Sequence, residues 1–379
     1  MSRLSTSNHL SLAEKLRLLN WGMVTLIVFI GLIGVTLLYS AGGKHWEPWA
    51  GPQLIRFAVG VCLMIAIALT DIRVWLQFAY PMYGIMLLLL VVVEVMGHVG
   101  MGAQRWINLG FFVIQPSELM KITLVLALAR YFHSLSIEDI GNPLKLATPI
   151  LMVLAPVGLV LLQPNLGTAL LLTLASGAIF YAGGVRWWKF IIVIAAVAAI
   201  LPIAWHHLHD YQKARLMTFM NPGADPLGRG YNILQSKIAL GSGGLFGRGF
   251  GHGTQSQLQF LPEKHTDFIF VVLAEEFGMV GALFLLFLYF VLIAYGFIIA
   301  LTCHNQFGRL AAFGLTVTFF LYVFVNVAMV TGTIPVVGIP LPLVSYGGTA
   351  MLTLLIGCGL LLSISIHRDM RISRTGING

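Results

Sequence analysis

The stretch HGTQSQLQFLPEKHTDFIFVVLAEEFGMVG, His252 to Gly281, starts polar and ends apolar, and its apolar half runs on to Ala300. A run from Phe268 to Ala300 exceeds the roughly 20 apolar residues that cross a bilayer. Its start is therefore expected to project from the hydrocarbon or to line a cavity. Asp267 stands where loop becomes apolar run, and Glu275 and Glu276 lie within the run. A carboxylate at such a junction is a candidate functional group, and a helix cap is the rival reading.

The rest of the chain has the same character. Its 379 residues are 58% hydrophobic and 9% charged, with a mean hydropathy of +0.89. A soluble domain carries about 25% charged residues. The composition therefore reads as an all-α polytopic membrane protein, a single integral membrane domain over residues 1–379 with about ten transmembrane helices and one large structured outer loop. The candidate spans are Trp21 to Tyr39, Gln53 to Thr70, Leu76 to Met96, Ser117 to Phe132, Leu144 to Leu162, Thr168 to Tyr181, Trp188 to Trp205, Phe268 to Ala300, Leu310 to Val330 and Gly347 to Ile366.

Charge sets the orientation. Residues 1–20 are polar and basic without a small-residue cleavage site, so they read as a cytoplasmic arm rather than a signal peptide. With that arm inside, the inner segments hold Arg3, Lys15, Arg17, Arg73, Arg130, Lys145, Arg186, Lys189, Arg309, Arg368, Arg371 and Arg374, against Lys44, Arg56 and Arg105 in short outer segments. The bias puts both tails, 1–20 and 367–379, in the cytoplasm and the loop of residues 206–266 outside. It also accounts for the net charge of +8 without nucleic acid. Cys62, Cys303 and Cys358 form no CxxC pair, which argues against structural zinc and redox chemistry.

Several groups carry candidate chemistry. On one helical face Asp267 would precede Glu275 by about 12 Å, near a helix N-terminus whose dipole favours the ionised acid. As a general base, Asp267 could take a proton from an attacking hydroxyl, the need of an inverting glycosyl transfer. Glu275 and Glu276 read as buried partners of basic or hydroxyl groups. Glu118 and Lys121, two residues and five residues after Pro116, are spaced i, i+3 and read as an ion pair or as the lining of a substrate cavity. Arg105-Trp106 reads as an interfacial anchor or a headgroup contact.

The long loop carries Lys213, Arg215, Arg229, Lys237, Arg248 and Lys264, a cationic surface suited to anionic lipid or to a pyrophosphate leaving group. Its glycine run, Gly241 to Gly251, lacks the GK[ST] of a nucleotide site and reads as flexible backbone that allows close approach. His206, His207, His209 and Asp210 read as a helix end, with metal binding the lesser alternative. Gln163 to Thr168 reads as a tight turn, and the proline-rich segment Ile334 to Gly348 as irregular backbone buried in protein or lining a cavity.

The run LPEKHTDFIF with AEEFG, preceded by GAQRW, QPSELMK and SKIALGSGG and followed by GIPLPLVSYGG, resembles the SEDS family (shape, elongation, division and sporulation proteins) over essentially the whole chain. The segment from Gly253 to Leu258 is closer to the rod-shape branch than to the division branch. The resemblance implies a peptidoglycan glycosyltransferase in the bacterial inner membrane, multi-pass, polymerising lipid II on the outer face and releasing undecaprenyl pyrophosphate. It puts the essential acid on Asp267, the acid–lysine pair on Glu118 and Lys121, and polar outer residues on Arg105 and Lys237. It implies a class B penicillin-binding protein, a transpeptidase, docking near spans eight and nine, together with other elongation-complex proteins. One departure is Asn165, where many relatives have Asp; an amide is no base, so that position is dispensable as an acid or serves in hydrogen bonding.

The expected catalytic residue is thus Asp267, with Arg105, Glu118, Lys121, Arg215 and Lys237 as substrate-binding candidates and Glu275 and Asn165 as cavity or structural residues. No cofactor is certain, and a divalent cation, Mg or Mn, is compatible with a pyrophosphate leaving group. The competing functions are a lipid II flippase, with Glu118, Lys121 and Glu275 marking a polar path, and a non-catalytic scaffold for the transpeptidase. A flippase is expected to show repeat symmetry and paired broken helices, which the sequence does not show.

Overall fold

Each of the ten apolar runs falls on one long helix, as backbone that must satisfy its own N–H and C=O groups in lipid requires. The computed structural model describes residues 10–96, 98–100, 103–108, 113–136, 138–207, 213, 217, 231–253, 263–370 and 372–373. The helices are α1 (Leu12–Leu18), α2 (Trp21–Ala41), α3 (Ala50–Ala68), α4 (Ile72–Met96), α5 (Pro116–Ser134), α6 (Pro143–Leu162), α7 (Leu166–Ala182), α8 (Trp187–His207), α9 (Tyr231–Ser242), α10 (Ile269–Thr302), α11 (Gln306–Val330) and α12 (Gly348–Ile366). Among the described residues, α2, α3, α4, α6, α10, α11 and α12 are long and apolar enough to cross a membrane by themselves. The other long helices are shorter in their apolar part, or carry the Glu118–Lys121 pair.

Side-chain caps start several helices where the sequence offers Ser or Asn. Ser11 and Glu14 form a capping box on α1, Asn20 accepts from the Met23 N–H on α2, and Asn305 accepts from the Gly308 N–H at 2.6 Å on α11. Pro116 opens α5 at its first turn, where a missing N–H costs nothing. One element was not expected: a small antiparallel sheet of β1 (His98–Gly100), β2 (Ala103–Asn108) and β3 (Val113–Ile114), in the order β1-β2-β3, occupies what reads in sequence as a plain loop. Its strands are too short and too poor in alternation to signal themselves.

The bundle is built around α11 and α12, whose apolar windows are 72% and 78% buried, whereas α4 is 17% buried and lies at the perimeter. Helix α12 packs on α3, and α11 packs on α10, α7 and α5. Helix α11 thus touches α10, which follows Asp267, α7, which follows Asn165, and α5, which carries the Glu118–Lys121 pair.

The length excess of α10 is resolved by a break. Gly278 has φ 68° and ψ −164°, so the helix kinks there. The kink frees backbone groups on both sides, and the glycine run takes them up. Arg248 N–H donates to Glu275 O at 3.0 Å and Gly249 N–H to Glu276 O at 2.9 Å, while Met279 N–H donates to Gly244 O at 3.0 Å and Val280 N–H to Leu245 O at 3.1 Å. Buried backbone groups need such partners. The run therefore serves close backbone approach and is docked, not flexible as the sequence suggests. Gly247 shows why the residue type matters: its φ is +79°, and a Cβ there would sit 2.2 Å from Glu276 O. Gly247→Ala is expected to lower stability by about 1–3 kcal/mol or more, read as a lower thermal unfolding midpoint in detergent.

Candidate functional site

Asp267 belongs to a turn, residues 263–268, that precedes α10. The N-cap position is Phe268, which makes no side-chain cap hydrogen bond. This corrects the helical-face expectation: Asp267 lies before the helix, so Asp267 and Glu275 do not share a face. It also separates Asp267 from the cap position itself. The acid still sits at the positive end of α10, where the unpaired N–H groups favour negative charge.

Three consecutive carbonyls hold this turn. His265 O accepts from Tyr346 N–H at 2.8 Å, Thr266 O from Ser345 Oγ at 2.6 Å, and Asp267 O from Asn326 Nδ2 at 2.9 Å. The donors come from the proline-rich segment and from α11. Trp49, just before α3, adds a floor: the His265 ring stacks on it at 4.5 Å with an interplanar angle of 10°, and the Lys264 ammonium lies 6.0 Å over the same ring. Burial pushes the Lys264 ammonium below the ordinary lysine range, with the Glu276 carboxylate opposing the shift. Burial also pushes the His265 imidazole down, which favours the neutral ring.

The proline-rich segment is buried, as irregular backbone among membrane helices must be. Ile339, Leu341, Leu343 and Val344 are all buried, and Tyr289 Oη donates to Pro342 O at 2.5 Å. The segment also walls Asp267. Gly338, at φ +73°, comes so close that a Cβ on it would lie 3.4 Å from Asp267 Oδ2. Gly338→Ala would combine backbone strain with a methyl group beside the carboxylate. With Asp267 in the expected role of general base, about a tenfold or larger loss in turnover would follow, since small misplacements at a reacting centre cost that much, with the protein still folded; initial rates per folded molecule check this.

The other expected residues gather at the same end of the bundle to different degrees. Arg105, on β2, donates from Nε to Gln163 O at 3.0 Å and from its terminal nitrogen to Pro164 O. It thereby holds the turn in front of Asn165. Asn165 is the N-cap of α7 and accepts from Thr168 N–H at 3.3 Å; this hydrogen-bonding role needs no acid. A Cβ on Gly167, in the first turn of α7, would lie 2.9 Å from Val337 O, so that turn abuts the Gly338 wall. Lys237 is exposed on α9, and its Nζ would lie 3.0 Å from a Cβ on Gly332, at the root of the same segment. Arg215 lies outside the described residues, as do His209 and Asp210.

Glu118 and Lys121 lie inside the bundle. Lys121 Nζ is 2.5 Å from Glu118 Oε1, and Tyr322 Oη donates to Glu118 Oε2 at 2.5 Å and also contacts Lys121 Nζ. Lys121 is 2% exposed and Glu118 5%. Lys121 also borders a largely apolar cavity between α5, α11 and α12, lined in part by Thr318, Tyr322, Thr353 and Cys358. The arrangement is an ion pair, the first of the two sequence readings. Tyr322 and Asn326 are one turn apart on α11, about 6 Å along its axis. Glu275 and Glu276 are buried, and Glu276 accepts from Ser40 Oγ. Among the described residues no group of three or more His, Cys, Asp or Glu could hold a metal ion.

Sequence reading missed Asn326, Ser345, Tyr322 and Trp49. Asn326 did carry a signal, as a lone amide in the apolar run Phe319 to Val330; the others look like ordinary loop, core or interfacial residues.

Comparison with known proteins supplies the context for this geometry. The FTSW_RODA_SPOVE family, described as cell cycle protein, matches residues 15–370. Among curated relatives, the peptidoglycan glycosyltransferase MrdB of Escherichia coli (strain K12) is 48% identical over 351 residues, covering 92% of each chain. The probable peptidoglycan glycosyltransferase FtsW of Trichlorobacter lovleyi is 36% identical over 374 residues, covering 93% of this chain and 95% of its own. Among solved structures, a chain of a peptidoglycan synthase complex studied for its coordination of polymerization and crosslinking aligns with a TM-score of 0.79 at 36% identity, over 93% of this chain and 99% of that one. The rod shape determining protein RodA of Thermus thermophilus aligns with a TM-score of 0.70 at 31% identity, over 93% and 98%.

Proposed function

We propose, because this chain belongs to the FTSW_RODA_SPOVE family of cell cycle proteins, that Asp267 is the general base with which it polymerises lipid II. The chain is a multi-span membrane peptidoglycan glycosyltransferase. The observation that carries the role of Asp267 is its setting: a partly exposed carboxylate at a helix N-terminus, with its own backbone carbonyl and that of Thr266 held by α11 and the proline-rich segment.

In the proposed reaction, Asp267 takes the proton of the 4-hydroxyl of the N-acetylglucosamine on one lipid-linked disaccharide. The oxygen attacks the anomeric carbon of the donor glycan, a new C–O bond forms with inversion, and the bond to undecaprenyl pyrophosphate breaks. The pyrophosphate leaves with the electron pair. General-base help contributes about 10²–10⁴-fold, so positioning and stabilisation of the leaving group supply the rest. For the latter we assign Lys237 and Arg215, on the cationic loop, together with Arg105 on β2, whose guanidinium also holds the turn before Asn165. Lys121 is committed to Glu118 and Tyr322, so we assign the pair to fixing α5 against α11 beside the cavity. No step is assigned to a resident divalent cation.

The same reading puts the Asp267 end of the bundle on the outer face of the bacterial inner membrane and gives the chain a class B penicillin-binding protein as partner, near α10 and α11. Likeness to a chain of a peptidoglycan synthase complex supports a transpeptidase partner. The test uses purified protein with that partner and labelled lipid II in detergent, where there is no second leaflet. An enzyme yields glycan polymer; a flippase or a scaffold yields none.

A further inference from the structure

Both peptide planes that flank Asp267 are pinned from outside its own segment. The plane of residues 266 and 267 is held at Thr266 O by Ser345 Oγ, and the plane of residues 267 and 268 at Asp267 O by Asn326 Nδ2. A peptide unit is planar. Anchoring both planes restricts φ and ψ at Asp267, so that its carboxylate is placed mainly by two side-chain torsions. Asn326 does more than hold one plane: the same Nδ2 donates to Ile339 O at 2.7 Å. Ile339 adjoins Gly338, the wall beside Asp267 Oδ2. One amide nitrogen thus ties the base to the wall it faces, using both hydrogens of its NH₂ group. Asn326 is fully buried, so water does not compete for these bonds.

We propose that Asn326 is a positioning residue for the reaction, setting the separation between the Asp267 carboxylate and the Gly338 wall and so the slot into which the acceptor sugar hydroxyl enters. The inference rests on the reading of Asp267 as the base. Asn326 itself touches neither substrate nor the transferred proton.

The experiment measures lipid II polymerisation by the full chain with its partner in detergent, for Asn326→Gln, Asn326→Ser, Asp267→Asn and the double variants. Gln keeps both hydrogens but carries them one methylene farther. The expected result is a kcat loss of about 10²-fold, the cost of a misplacement near 1 Å, with KM within about twofold of wild type. In the Asp267→Asn background the further loss is expected to be under about threefold, because a residue that acts through the base has nothing left to position. A loss that multiplies equally in both backgrounds, an unchanged kcat per folded molecule, or no folded protein from either Asn326 variant would assign Asn326 a structural role only and overturn the proposal. Wild-type turnover by Asp267→Asn is the separate result that overturns the base reading.

Discussion

Asp267→Asn is expected to lower lipid II polymerisation by about 10²–10⁴-fold, the range over which a positioned general base acts. The substitution is nearly isosteric and removes the acceptor for the hydroxyl proton. The three hydrogen bonds that reach the turn from the proline-rich segment and α11 end on backbone carbonyls, of His265, Thr266 and Asp267. They survive the change of side chain. The variant should therefore fold, bind lipid II and associate with its partner as wild type does. Initial rates and thermal unfolding, measured on the same preparation, separate the chemical loss from a structural one. Asp267→Glu keeps a base but moves it by one methylene, and an intermediate loss is expected.

The second large effect is on the bundle itself. Lys121→Met would leave Glu118, 5% exposed, without its ammonium partner. Removing one member of a buried pair costs about 3–5 kcal/mol, and Tyr322 Oη also loses a contact. The expected readout is a strongly lowered unfolding midpoint in detergent. Glu118→Leu combined with Lys121→Met removes both charges, and should recover much of that loss, because a buried pair adds little beyond well-packed apolar side chains. A wild-type midpoint for Lys121→Met alone would mean that the pair does not brace α5 against α11.

The helices were legible because lipid leaves the backbone few choices: each apolar run of sufficient length became a helix. The run from Phe268 to Ala300, too long for one straight span, is broken in the structure by the Gly278 kink. What the sequence hid was who partners whom. The glycine run from Gly241 to Gly251 looks like a free loop because the carbonyls it serves, Glu275 O and Glu276 O, are more than twenty residues away and backbone atoms leave no trace in residue type. The strands of the small sheet are similarly silent.

The site was half legible. Asp267, Glu118 with Lys121, and Arg105 stand out because charge is rare in this chain and therefore informative. Their geometry did not stand out. The face shared by Asp267 and Glu275 assumed a helix that starts two residues later, at Ile269. For Asn165 the hydrogen-bonding alternative did hold: at the start of α7 the position asks for an acceptor, which an amide provides. Asn326 and Ser345 were overlooked because neither is charged, yet they fix the peptide planes on which the acid depends.

The central claim is that this chain forms the glycosidic bond and that Asp267 takes the proton. It is tested most directly by following labelled lipid II in detergent, with a transpeptidase partner whose own nucleophile is disabled, for wild type and Asp267→Asn at equal folded concentration. Wild type is expected to produce glycan polymer together with undecaprenyl pyrophosphate, and Asp267→Asn to produce about 10²-fold less or lower still. Equal polymer from the two would contradict the account.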